Sequence, residues 1–164
     1  MNNTEVTKAY ANWFNEQDYD LYLVLNYQQA NNADLMSYKR FSEQLKRLFY
    51  RLECEHWGKK KRERYKKICR IERAVCIEKA TYLHANIMIK RYGGKSDEQI
   101  IRSINEAWLE IQGRSSEKSN EFLCQTINTQ IKNSLAVSLY SCKQMANSNN
   151  NYDDVFCIEA SFIR

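Results

Sequence analysis

A chain of 164 residues, 43% hydrophobic and 27% charged, has the composition of a single globular domain with its own core. No apolar run approaches the roughly 18 residues a membrane span requires. Proline is absent and glycine occurs only four times, so Asn, Asp and Ser must make most turns, and collagen-like or Gly-rich linker architectures are excluded. The start, MNNTEVTKAYANWFNEQ, lacks a basic segment followed by an apolar one, which predicts a protein kept in the cytoplasm.

Six cysteines and two histidines contain no C-x-x-C pair, which argues against a structural zinc site. Cys69, Cys76, Cys124 and Cys157 lie among apolar or β-branched residues, as reduced core cysteines do. The net charge of +5 is unevenly spread: nine basic residues fall between positions 59 and 73 against Glu63 and Glu72. That segment is +7 and the remainder −2. Its exposed-type cations Lys59, Lys60, Lys61, Arg62, Arg64, Lys66 and Lys67, with Trp57 and Tyr65 interleaved, suit phosphate neutralisation and base stacking. A solvated lysine-rich loop would have the same composition.

In chain order, Val6, Tyr10, Trp13 and Phe14 predict an amphipathic helix over 3–16, and the apolar run DLYLVLNY predicts a buried strand over 20–27. Leu35, Tyr38, Phe41, Leu45, Leu48, Phe49 and Leu52 share one face of a helix over 35–52, and the basic connector follows. IERAVCIE (71–78) and LHANIMIK (83–90) read as an antiparallel hairpin. Ser96 with Gln99 three residues on is a capping box opening a helix that stops near Gly113. A strand over 121–129, a helix over 131–145, an Asn-rich loop over 146–154 and a closing strand, VFCIEASFI, complete the chain.

The expected class is α+β: a ferredoxin-like β-α-β-β-α-β core of antiparallel sheet and helices, with an added N-terminal helix and C-terminal strand. Residues 1–164 show no repeat or boundary and read as one domain.

Polar residues interrupt the hairpin at His84 and Asn86, two apart and therefore on one sheet face. If residue 78 pairs with 84 and 76 with 86, Glu78 joins them. A carboxylate, an imidazole and an amide oxygen suit a divalent cation such as Mg²⁺ or Mn²⁺. Tyr140 and Lys143, three apart on a helix, supply a nucleophile and a cation for attack on a phosphodiester. His56 has no role in this scheme.

Taken in order, these motifs resemble the HUH endonuclease superfamily, in particular the small rolling-circle replication initiators of plasmids and single-stranded DNA viruses. The first motif corresponds to Leu23-Val24-Leu25-Asn26-Tyr27, the second to Leu83-His84-Ala85-Asn86-Ile87, and the third to Tyr140-Ser141-Cys142-Lys143-Gln144. The resemblance covers about 20–145 and departs from the family at Asn86, where His or Gln is usual and reaches one methylene further than Asn if Gln. It implies Glu78, with Glu72 as the fallback, together with His84 and Asn86 as metal ligands, Tyr140 as nucleophile, and Lys143 as its cationic partner. It further implies single-stranded DNA at a replication origin, with or without a hairpin, as substrate, and a host helicase or polymerase as partner, in a bacterial rather than a eukaryotic nuclear setting. A mobilisation relaxase or single-tyrosine transposase would use the same chemistry. The alternatives of other kinds are a non-catalytic RRM-like module, whose Gly-Phe-x-Phe pattern the strands lack, and a capsid or scaffold protein using the basic run for packaging.

Overall fold

The computed structural model describes residues 3–27, 37–79, 83–112, 124–126, 135–143 and 155–163. Their elements run α1 (Asn3–Glu16), β1 (Leu21–Asn26), α2 (Tyr38–Trp57), α3 (Lys59–Arg64), β2 (Arg73–Lys79), β3 (Leu83–Ile89), α4 (Asp97–Ile111), β4 (Cys124–Thr126) and α5 (Leu135–Ser141). The strands form one antiparallel sheet in the order β2-β3-β1-β4, so the molecule is α+β. No helix among the described residues is long and apolar enough to cross a membrane.

Strand alternation divides the core into two. Odd-numbered residues of the strands, including Leu23, Leu25, Val75, Ile77, Ala85 and Ile87, face α2 and α4, whose Phe41, Leu45, Leu48, Ile104 and Trp108 complete the larger cluster. Full burial of each such large side chain is worth about 1.5–3 kcal/mol. Trp108 also donates its indole N–H to the Asn26 carbonyl, which fixes α4 against the end of β1. Even-numbered residues, among them Tyr22, Val24, Cys76 and Met88, face a second cluster with Phe14 of α1, Cys142 just beyond α5, and Phe156. Both faces of the sheet are therefore covered. The local signals act as the sequence predicts at α1, at the fully capped Ser96–Gln99 start of α4, and at α2, where Ser37 caps the first turn, although α2 continues past the expected end at Leu52 to Trp57.

Two segments differ from expectation. The closing strand is absent among residues 155–163, which instead meet β2 through isolated bridges at Cys76–Phe156 and Arg73–Phe162. A turn over 158–160 bends the chain between these bridges, and the Ser161 hydroxyl takes the place of a backbone carbonyl by accepting from the Val75 N–H. The polar Glu159 and Ser161 thus satisfy side-chain contacts that a regular ladder would not offer. The basic connector is not simply a loop: it opens with helix α3, which follows Gly58 at φ 80°. The expected loop over 146–154, the hairpin link over 80–82 and the outer parts of the 121–129 strand and 131–145 helix lie outside the described residues.

Candidate active site

The hairpin register is the one needed to gather the polar groups: Glu78 pairs with His84 and Cys76 with Asn86. On the other side of β3, Asn26 pairs with His84 and Val24 with Asn86. The last row of this sheet face is consequently Asn26, His84 and Glu78, and it lies at the end of the sheet where β2 runs into the hairpin link. In the sequence Asn26 is only the polar end of an apolar run; its even position on β1 is the signal that places it beside His84.

Glu78 is buried and is the hub of the cluster. His84 Nε2 lies 2.9 Å from Glu78 Oε2, and since the carboxylate can only accept, the imidazole donates. Asn86 Nδ2 donates to the same oxygen at 3.1 Å. The Lys143 ammonium reaches the other oxygen, Oε1, at 2.7 Å. Behind them Tyr22, which the sequence assigns only to a buried strand, donates its hydroxyl to Asn86 Oδ1 at 2.8 Å. Burial pushes the Tyr22 phenol well above its ordinary range, so it remains a donor.

Helix α5 brings the remaining two groups onto this face. Ser138, Ser141 and Cys142 are buried against the sheet side while Tyr140 is 47% exposed. Lys143 lies just beyond α5, and its Nζ sits 3.8 Å from the centre of the Tyr140 ring. One ammonium thus touches both the phenol ring and the carboxylate. Burial acts against its charge, but the bonds to Glu78 and Tyr140 prevail and hold the Lys143 pKa above the ordinary lysine value. At neutral pH it is a cation and not a proton acceptor.

Glu72, the fallback carboxylate, is six residues back along the chain and pairs with Lys90 at 3.0 Å, away from His84. The basic segment is also elsewhere. Lys59, Lys60, Lys61, Arg64, Lys66 and Lys67 are exposed, but Arg62 is turned inward and pairs with the buried Glu53 at 2.6 Å. Its Nε is thus committed to Glu53, unlike the exposed lysines around it. Trp57 is half-buried and packs against the α2–α4 core. Glu53 also binds Arg73, at the far end of β2 and on the opposite sheet face from Glu78. Arg73 and Glu78 stand five residue steps apart along β2, roughly 17 Å. His56 packs edge-on against Trp57 and Tyr92 and covers Gly93, where a Cβ would collide with its ring.

Among the described residues no three His, Cys, Asp or Glu side chains gather as a metal site. The cluster at Glu78 contains two such residues and an amide, nitrogen and oxygen donor types that Mg²⁺ or Mn²⁺ accepts. Here His84 Nε2 and Asn86 Nδ2 turn their protons to Glu78 Oε2, so holding an ion would require His84 to release that proton and Asn86 to turn its amide. Exchange of the Asn86 amide oxygen and nitrogen would turn the oxygen to the ion, and Tyr22 can accept as well as donate, so the amide stays satisfied either way. With Oε1 held by Lys143, Glu78 would offer Oε2 alone.

Comparison of the chain with protein families, with curated proteins and with solved structures found no match.

Proposed function

We propose that this chain nicks and rejoins single-stranded DNA through a 5′-phosphotyrosyl intermediate at Tyr140, as an HUH-type initiator of rolling-circle replication. The observation that carries the reading is the meeting of Lys143 with both Tyr140 and Glu78, which joins the helix motif to the hairpin motif on one sheet face. The strand order β2-β3-β1-β4, with α2 and α4 as the two crossovers, supports the ferredoxin-like β-α-β-β-α-β core expected of such an enzyme. A relaxase or transposase would share this site and differ in its DNA. The RRM-like alternative needs an open sheet face for stacking, whereas Tyr22 is buried beneath the second cluster.

In the proposed step the Tyr140 oxygen attacks the scissile phosphorus, the bond from phosphorus to the 3′-oxygen breaks, and the leaving strand takes up a proton to become a 3′-hydroxyl. The phenol proton passes to water, because Lys143 already carries its own. Lys143 stabilises the phenolate and the charge that grows on phosphate. Glu78 fixes Lys143 and His84 in position, and Tyr22 orients the Asn86 amide. A Mg²⁺ or Mn²⁺ ion held by Glu78, His84 and Asn86 would polarise the non-bridging phosphate oxygens. Because the tyrosyl phosphodiester retains the transfer potential of the original bond, a later 3′-hydroxyl can reverse the step and seal the strand.

The test is incubation with single-stranded oligonucleotides and Mn²⁺, resolved on a denaturing gel. The wild-type chain is expected to form a covalent adduct, and Tyr140→Phe to form none while binding DNA within about threefold, since only one hydroxyl is removed. An adduct that survives in Tyr140→Phe would reject Tyr140 as nucleophile.

A further inference from the structure

On the opposite face of the sheet, between α2 and the start of β2, lies a cleft of about 350 Å³. Five cations, Lys46, Arg47, Arg62, Arg70 and Arg73, line it against two carboxylates, Glu53 and Glu159, an excess of three positive charges. Its floor is a buried ion cluster. Glu53 is fully buried and receives Arg62 at Oε2, and Arg70, Arg73 and the Ile71 N–H at Oε1. Three guanidiniums share this one carboxylate, so the floor alone keeps an excess of two charges. Arg73 is 2% exposed, and its remaining bonds go to the Ala160 and Ile71 carbonyls. Arg62 and Arg70 each commit only Nε to Glu53, which leaves their terminal N–H groups without a hydrogen-bond partner among the described residues.

Uncompensated guanidiniums in a half-buried cleft, with unspent paired donors, are the arrangement that takes a phosphoryl group bidentately. We infer that this cleft is a phosphate-binding site, separate from the site at Glu78, and that it takes the phosphate of a nucleotide or of a nucleic-acid strand. A phosphate monoester dianion would balance the two excess charges of the floor, with Arg47 and Lys46, the latter paired with Glu159 at 3.4 Å, lining the exposed edge on α2. This inference stands on the cleft itself and goes beyond the nicking reading; either can fail without the other.

The experiment is calorimetric titration at constant ionic strength with three probes: inorganic phosphate, a deoxynucleoside 5′-monophosphate, and a single-stranded oligonucleotide. Saturable binding is expected that weakens roughly tenfold in Arg70→Gln, which removes one charge-assisted hydrogen-bond donor. The double variant Lys46→Gln/Arg47→Gln changes only exposed residues, so its fold is preserved, and it should weaken binding as much or more. Tyr140→Phe should leave the binding of phosphate and monophosphate unchanged. Variant-sensitive binding of the monophosphate identifies a nucleotide as the source, and variant-sensitive binding of the oligonucleotide alone identifies a strand phosphate. No saturable binding of any probe, or binding indifferent to both sets of substitutions, overturns the inference.

Discussion

Among the described residues, Glu78 accepts His84 and Asn86 at Oε2 and Lys143 at Oε1. These bonds offset much of the cost of burying the carboxylate. They also make its neighbours sensitive to change. In His84→Ala, Glu78 keeps Asn86 and Lys143, so the fold is expected to persist, while Mn²⁺ affinity measured by calorimetry should fall at least about tenfold, with cleavage falling alongside. Unchanged Mn²⁺ binding would remove His84 from the ligand set. This much was readable in the residues: the spacing of His84 and Asn86 fixes a common face, which Glu78 joins if residue 78 pairs with 84, as it does. Tyr22 was not readable as part of the site, because an apolar strand gives no sign of which aromatic hydroxyl will reach diagonally to a polar residue on the neighbouring strand.

At the scale of elements, the unexpected feature is the partnership of α2 with the basic segment. Burying Glu53 on α2 would be prohibitive alone, and the segment that follows returns three arginines to it. The same cluster holds residues 155–163, since Arg73 donates to the Ala160 carbonyl as well as to Glu53. Glu53→Ala would leave three guanidiniums facing one another, one of them almost fully buried, and should cost about 3–5 kcal/mol in urea unfolding. A cost below about 1 kcal/mol would mean that water reaches the cluster and replaces the carboxylate. The closing segment was legible as an apolar partner of the sheet but not as a set of bridges, because its polar Glu159 and Ser161 accept from the Ser42 hydroxyl on α2 and the Val75 N–H on β2 only once those elements are packed.

For the whole molecule, charge and burial set two further expectations. Lys59, Lys60 and Lys61 are exposed on α3, beside the arginine cleft and remote from Tyr140. Replacing all three by Gln should weaken binding of single-stranded DNA and flatten its dependence on salt, by about 0.7 in the logarithmic slope for each phosphate that is no longer neutralised. An unaltered slope, measured by fluorescence anisotropy across salt concentrations, would assign these lysines to solvent. Stability should also fall in alkali. Burial raises the phenols of Tyr19 and Tyr22, and raises Tyr92 to about 12. Below the ordinary tyrosine value of 10.0 both folded and unfolded chains are protonated and the stabilisation is whole. Above it the unfolded chain releases its protons first, so stability declines as pH rises from there through the folded values. Arg73, which burial pulls down to about 10 against the upward pull of Glu53, acts with the opposite sign, but it is one group against three. The melting temperature should therefore drop between about pH 9.5 and about 11.5; a flat profile would show the three phenols to be free to ionise.

The helices α1, α2 and α4, the strands β1 to β3 and the common face of His84 and Asn86 follow from local periodicity, and the amino-acid sequence determined them unaided; the register that adds Glu78 to that face was fixed by the folded hairpin. Alternation with period two needs no knowledge of the rest of the chain. Which cations meet which carboxylates was decided only by tertiary packing. Lys143 and Arg62 are alike in sequence as members of polar stretches, yet one closes on Glu78 across the sheet and the other is drawn inward to Glu53. Long, flexible charged side chains go wherever desolvated opposite charge awaits them, and that location exists only after the helices and the sheet have come together.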